Sequence, residues 1–164
     1  MKIRAINGFT ILEVMVTISI FITLLIGSLP LISSWSETLA ITDAKGKIKH
    51  AVSTARATAQ FNTFGVELKD ASAAVCIQDN VIIVRSASAL GSAACSNQSP
   101  IKWSSQLPKN IEIFTSNGVT QNNFQCLCFR PSGLTSVDGN CNMCSRINFF
   151  RIKKGDSNEL LKIS

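Results

Sequence analysis

From Val14 to Ile32 the chain runs through nineteen residues without a charge, and the next charged side chain is Glu37. At ~1.5 Å rise per residue, a helix of that length spans roughly 30 Å, about the hydrocarbon thickness of a bilayer. No other segment limits the fold so strongly, because a helix apolar on all sides has to be covered by something apolar. Lys2 and Arg4 precede it, with no acidic residue before Glu13. That asymmetry predicts a cytoplasmic N-terminus and a single pass through a membrane, with everything after about residue 36 on the far side.

A cleavable secretory signal would have a shorter apolar core followed by a small-x-small cut site. Gly27-Ser28-Leu29-Pro30 and Ser33-Ser34-Trp35 fit that poorly. A plain membrane anchor explains the length but leaves Glu13 unexplained. A carboxylate in an apolar segment costs on the order of 2–3 kcal/mol in lipid and marks a function or a partner.

The stretch Gly8-Phe9-Thr10-Ile11-Leu12-Glu13 closely resembles the class III signal of type IV pilins and type II secretion pseudopilins. The resemblance implies that a prepilin peptidase cuts between Gly8 and Phe9, and that the new N-terminal Phe9 is methylated. It also implies that Glu13, fifth in the mature chain, pairs with the N-terminal amine of a neighbouring subunit. An unpaired buried carboxylate is costly, whereas one facing a cation is not. The implied layout is a leader at 1–8, a transmembrane N-terminal helix at 9–36 and a headgroup at 37–164. Pro30 falls where many family members carry a helix-loosening proline, a residue that removes a backbone hydrogen bond and crowds the preceding turn.

Beyond the membrane-length segment, Trp35, Leu39, Ile41, Ala44, Ile48, Ala51, Val52, Ala55 and Ala59 recur mostly at steps of three and four, which predicts an amphipathic continuation of the helix. Lys45, Lys47, Lys49, Asp43 and Arg56 mostly avoid that stripe, and Gly46 lies within it. His50, the sole histidine, reads as a solvated helix residue. After Gln60 the pattern changes to short strands: Ala73–Ile77 and Val81–Arg85 around a turn at Gln78-Asp79-Asn80, then Ile101–Trp103, Ile111–Phe114, Phe124–Phe129, Ile147–Lys153 and Leu160–Ile163. Asn117-Gly118 is a further turn signal. A helix followed by an antiparallel sheet makes an α+β domain, and the pilin resemblance implies that the long helix packs on that sheet.

Phe129-Arg130-Pro131-Ser132-Gly133 resembles the Phe-x-Pro-x-Gly element of minor pilins of the FimT/FimU type and of the pseudopilin GspH. Pro131 and Gly133 also have a physical reading of their own, ending a strand and supplying a turn. Six cysteines in an exported domain favour disulfides. If 124–129 and 147–153 form one hairpin, the pairs Cys126–Cys144 and Cys128–Cys141 have nearly constant index sums. Cys76–Cys95 then closes the earlier hairpin and its loop. A four-thiolate zinc site is disfavoured, because one intervening residue in Cys126-x-Cys128 is too few. No cofactor or metal is expected.

One histidine, no conspicuous carboxylate pair and no phosphate-cradling glycine loop leave no catalytic constellation, so the chain reads as a non-enzyme. The resemblance implies a minor pilin of a type IV pilus, acting in assembly and initiation in or near the tip complex, and finally part of an extracellular pilus. Its partners would be other minor and major pilins through the N-terminal helix, prepilin peptidase, and the inner membrane before assembly. A type II secretion pseudopilin shares every N-terminal residue. A third reading is a double-stranded DNA-binding pilin for natural transformation, with Arg146, Arg151, Lys153, Lys154 and Lys162 on phosphates. The formal charge of +6 is too modest to decide that, and Asp156 and Glu159 lie close by.

Overall fold

The protein is described by a computed structural model that covers residues 9–116, 121–136, 144 and 149–162, with 28–34, 116, 121 and 122 traced by backbone alone. Among the described residues one helix, α1 (Ile11–Phe61), is followed by nine strands. The chain divides into two units, Met1–Ser36 and Glu37–Ser164. The architecture is α+β, and every strand pairing among the described residues is antiparallel.

The first part of α1 corrects the membrane expectation. Among the described residues no helix is long and apolar enough to cross a membrane. The single-pass inner-membrane placement, and the route from it to an extracellular pilus, do not stand.

In the second unit α1 buries the expected stripe: Ile41, Ala44, Ile48, Ala51, Val52, Ala55 and Ala59 are all in the core. Trp35 and Leu39 are not, being 65% and 53% exposed. Four of the buried residues are alanines, which bring the helix backbone close to the sheets. α1 is continuous through Gly46. It ends where Asn62 turns to φ +37° and its side chain takes over the backbone's role. Asn62 Oδ1 accepts from the Val66 amide at 2.8 Å, and Nδ2 donates to the Val66 carbonyl at 2.9 Å. Asparagine tolerates this left-handed position at a helix C-terminus better than most residues.

The strands form two sheets. β1 (Ala73–Gln78), β2 (Val81–Ser86), β3 (Ile101–Gln106), β6 (Cys126–Phe129) and β7 (Thr135–Ser136) make one, in the order β3-β2-β1-β6-β7. β4 (Glu112–Ser116), β5 (Gln121–Asn123), β8 (Phe149–Lys154) and β9 (Ser157–Lys162) make the other, in the order β5-β4-β8-β9. The β1–β2 turn is the two-residue Asp79-Asn80, at φ +50° and +62°, the primed geometry that matches strand twist. The β8–β9 turn instead sets Gly155 at φ +58°.

The expected strand 124–129 is shorter, with only β6, Cys126–Phe129, extended. Phe124 precedes it outside any strand, its ring edge-on to Phe150 at 5.0 Å. β6 pairs with β1 and β7, whereas β8 pairs with β4 and β9. The hairpin expected between 124–129 and 147–153 therefore does not exist. Asn117-Gly118, Ile147 and Ile163 lie outside the described residues.

Alternation divides the five-stranded sheet into two buried faces. Val75, Leu127 and Phe129 pack with the helix stripe in the main core. Ala74, Cys76, Cys126 and Cys128 pack with Ala71, Ala87, Ala93 and Cys144 in a second cluster. Arg85 is also buried, and its Nη1 donates to the Ser99 carbonyl at 2.7 Å.

Candidate functional site

Four features single out residues for function: the start of α1, the turn after β6, the cysteines, and the basic β8–β9 hairpin. Gly8 lies outside the described residues. Phe9 is 80% exposed. Thr10 caps the helix: its Oγ1 accepts from the Glu13 amide at 3.3 Å, and its carbonyl accepts from Glu13 and Val14 at 3.1 and 3.2 Å. Glu13 is the acidic residue of the first turn, where a carboxylate is favoured by the helix dipole. The sequence Thr10-x-x-Glu13 is thus a capping-box pattern, a signal masked by the membrane-like run that follows it. Glu13 therefore has a local place at the helix start.

The side chains that follow are exposed in every direction around the helix. Ile11, Leu12, Met15, Ile18, Phe21, Leu24 and Ile26 are all more than half exposed. Thr17, Ser19 and Thr23 turn their hydroxyls inward, each donating to a carbonyl three or four residues back. Their polar groups are consequently satisfied within the helix, and the surface presented outward is almost entirely apolar.

The Phe-x-Pro-x-Gly element acquires a mechanical reading. Phe129 is fully buried in the core, with the Arg56 guanidinium 5.8 Å from its ring centroid. The turn then closes through the Gly133 amide donating to the Arg130 carbonyl at 2.8 Å, and the Arg130 amide to the Leu134 carbonyl at 2.9 Å. Gly133 has φ +78°, and a Cβ there would sit 2.9 Å from Gln60 Nε2 and 3.3 Å from Arg56 Cγ. The motif anchors a turn against the last two turns of α1 and needs glycine for conformation and for room.

Cys76–Cys95 and Cys126–Cys144 are disulfide-bonded, as expected. Cys128 is disulfide-bonded as well, and its expected partner Cys141 lies outside the described residues. The route to Cys126–Cys144 differs from the expected hairpin. Cys144 belongs to no strand, and it reaches Cys126 on the face of the sheet opposite the helix. Cys128 Sγ lies only 3.4 Å from Cys144 Sγ, so the sulfurs are massed in one cluster. Sequence separations of 19 and 18 residues correspond to about 3 kcal/mol of chain-entropy stabilisation each.

The basic hairpin is less concentrated than its sequence. Arg146 lies outside the described residues. Ile152 is fully buried, and alternation sets Arg151 and Lys153 on the opposite face, with Lys154 on the side of Ile152. Lys153 stands directly across from Glu112, and Arg151 between Phe114 and Leu160. Lys162 is opposite Phe149. Glu159 is engaged by Lys45 in an ion pair to the helix, and Ser157 donates to Glu37 at 3.3 Å. The hairpin is thereby tied to α1. Its outer face mixes three cations with a carboxylate and apolar side chains, a weak match to a phosphate backbone.

His50 is exposed on α1 and meets the Trp103 ring edge-on at 5.0 Å. Among the described residues no group of three or more histidine, cysteine or acidic side chains is arranged to hold a metal. No protein-family model, no curated protein and no solved structure matches this chain.

Proposed function

We propose that this chain is a minor pilin, a subunit that joins a type IV pilus-type filament through its N-terminal helix and contributes to filament assembly. The observation that carries the reading is the junction at the start of α1. The hexapeptide Gly8 to Glu13 leads directly into a helix whose apolar side chains are exposed all round as far as Ile26. A surface of that kind is stable only when covered, and the same helix in neighbouring subunits would cover it.

Cleavage after Gly8 would leave a positive amine on Phe9, at the end of the helix where positive charge is disfavoured. Glu13 of a neighbouring subunit would neutralise that amine. The disulfide-tied sheets would form the headgroup, held to the helix by Lys45–Glu159 and the turn at Gly133.

Intact-mass measurement on the chain co-expressed with an active prepilin peptidase tests the reading. The expected product begins at Phe9 and carries one added methyl group, and Gly8→Arg leaves the leader attached. Recovery of the wild-type chain with Met1 still in place would overturn the assignment.

A further inference from the structure

The four-stranded sheet turns one face to the helix. Phe150, Ile152 and Leu161 point from it into the main core, and Glu159 lies on the same side, where it meets Lys45 of α1. Alternation sends the residues between them to the other face. There the register sets Arg151 between Phe114 and Leu160, Lys153 across from Glu112, and Phe149 across from Lys162. Side chains opposed on one face stand about 4.5–5.5 Å apart at Cβ, so these form one patch. It is open to solvent: Leu160 is 54% and Phe149 37% exposed, and Glu112, Lys153 and Lys162 are exposed as well.

The patch is apolar along its middle and positive overall. Three cations stand against one carboxylate, and among the described residues none of the three forms an ion pair. Arg151 is half-buried, and its buried Nε has no hydrogen-bond partner. A guanidinium partly withdrawn from water favours a carboxylate, which matches its planar fork with two parallel hydrogen bonds. Size narrows the occupant further. β4, β8 and β9 are five or six residues long, so at the usual strand spacing and rise they offer roughly 14 by 20 Å, about 300 Å². A standard protein interface takes about 800 Å² from each partner. A patch of this area suits one short chain segment.

We propose that this face binds a short peptide segment of a partner protein in which carboxylates are interspersed with aliphatic side chains. The carboxylates meet Arg151, Lys153 and Lys162, and the aliphatic side chains cover Phe149 and Leu160. Aromatic residues and arginine are the types that anchor such contacts. A nucleic acid is a poorer fit, because Glu112 faces any phosphate backbone laid across the patch, whereas a peptide can set an uncharged side chain there. The inference goes beyond the pilin reading and fails separately from it, since every residue involved lies in the second unit.

The test is a selection from a random decapeptide display library on the immobilised full-length chain in non-ionic detergent, followed by fluorescence-polarisation titration of the enriched peptide. Enriched peptides are expected to combine two or more acidic residues with leucine, isoleucine or valine. The double variant Lys153→Glu/Lys162→Glu, at two exposed positions, should weaken the enriched peptide at least tenfold with the thermal transition unchanged. Leu160→Ser should also weaken it, and so should replacing the peptide's acids by their amides. A selection with no shared pattern, or with a pattern lacking acidic residues, would overturn the proposal. Unchanged affinity in the double lysine variant would do the same, by placing the peptide elsewhere on the chain. A twenty-nucleotide single strand that binds more tightly than the peptide, and weakens in that variant, would give the face to nucleic acid and overturn the proposal as well.

Discussion

Within α1, Ile11–Ile26 and Ile41–Ala59 belong to one helix yet solve opposite problems. The first stretch carries large aliphatic and aromatic side chains on every side, and nearly all are exposed. The second carries a single buried stripe, rich in alanine, with lysines and other polar residues elsewhere. A one-sided stripe closes a core within the chain, while an all-round apolar surface requires neighbours. What differs between them is the angular distribution of hydrophobic residues, and that distribution separates a surface buried within the chain from one left exposed.

The largest effect should come from placing the same charge on each stretch. Ile48→Asp buries an unpaired carboxylate at a 2% exposed position, at a cost of several kcal/mol, enough to unfold the headgroup. Ile18→Asp, at a 53% exposed position, should leave the thermal transition of the headgroup unmoved and should abolish filament incorporation. Chemical denaturation and a filament assembly assay read the two outcomes. If Ile18→Asp lowers headgroup stability as much as Ile48→Asp, the division of labour along the helix is wrong.

A middle-sized effect tests how the second stretch holds its turn. Gly133→Ala forces a Cβ into a left-handed conformation beside Gln60 and Arg56 and should cost about 1–2 kcal/mol, lowering the melting temperature by a few degrees. Gly133→Asn separates the two causes. Asparagine accepts the left-handed conformation but not the crowding, so recovery of stability would assign the cost to φ, and no recovery to contact with the helix.

Much of this architecture was legible in the sequence, and the losses follow a rule. Local periodicity and turn chemistry were readable. The stripe from Ile41 to Ala59, the Asp79-Asn80 turn and the strands on either side of it all depend on residues a few positions apart. What was not readable depends on long-range pairing. Nothing local says that β6 pairs with β1 while β8 pairs with β4, so one expected hairpin dissolved into two sheets. The bond Cys126–Cys144 survived that error, because a chain segment outside any strand can bring Cys144 to the same face. Lys45 and Glu159 meet in an ion pair across more than a hundred residues, and no spacing rule reaches that far. The Thr10 cap is a different kind of miss: its pattern was present and local, but the cost of a carboxylate in lipid offered a competing account of Glu13.

The smallest expected effect sharpens the role of Glu13. Thr10→Ala removes the hydroxyl that accepts from the Glu13 amide and should cost about 1 kcal/mol of local helix stability. The change should appear as faster hydrogen exchange at Glu13 and Val14, with the headgroup unaffected. Glu13→Gln keeps the side-chain shape and removes the charge, losing only about 0.3–1 kcal/mol of dipole interaction. The two variants fray the first turn to a similar degree and differ in what they leave for a neighbour. If Glu13→Gln halts filament incorporation and Thr10→Ala does not, the carboxylate acts between subunits. If both impair incorporation equally, Glu13 serves the start of its own helix, and the apolar surface behind it carries assembly alone.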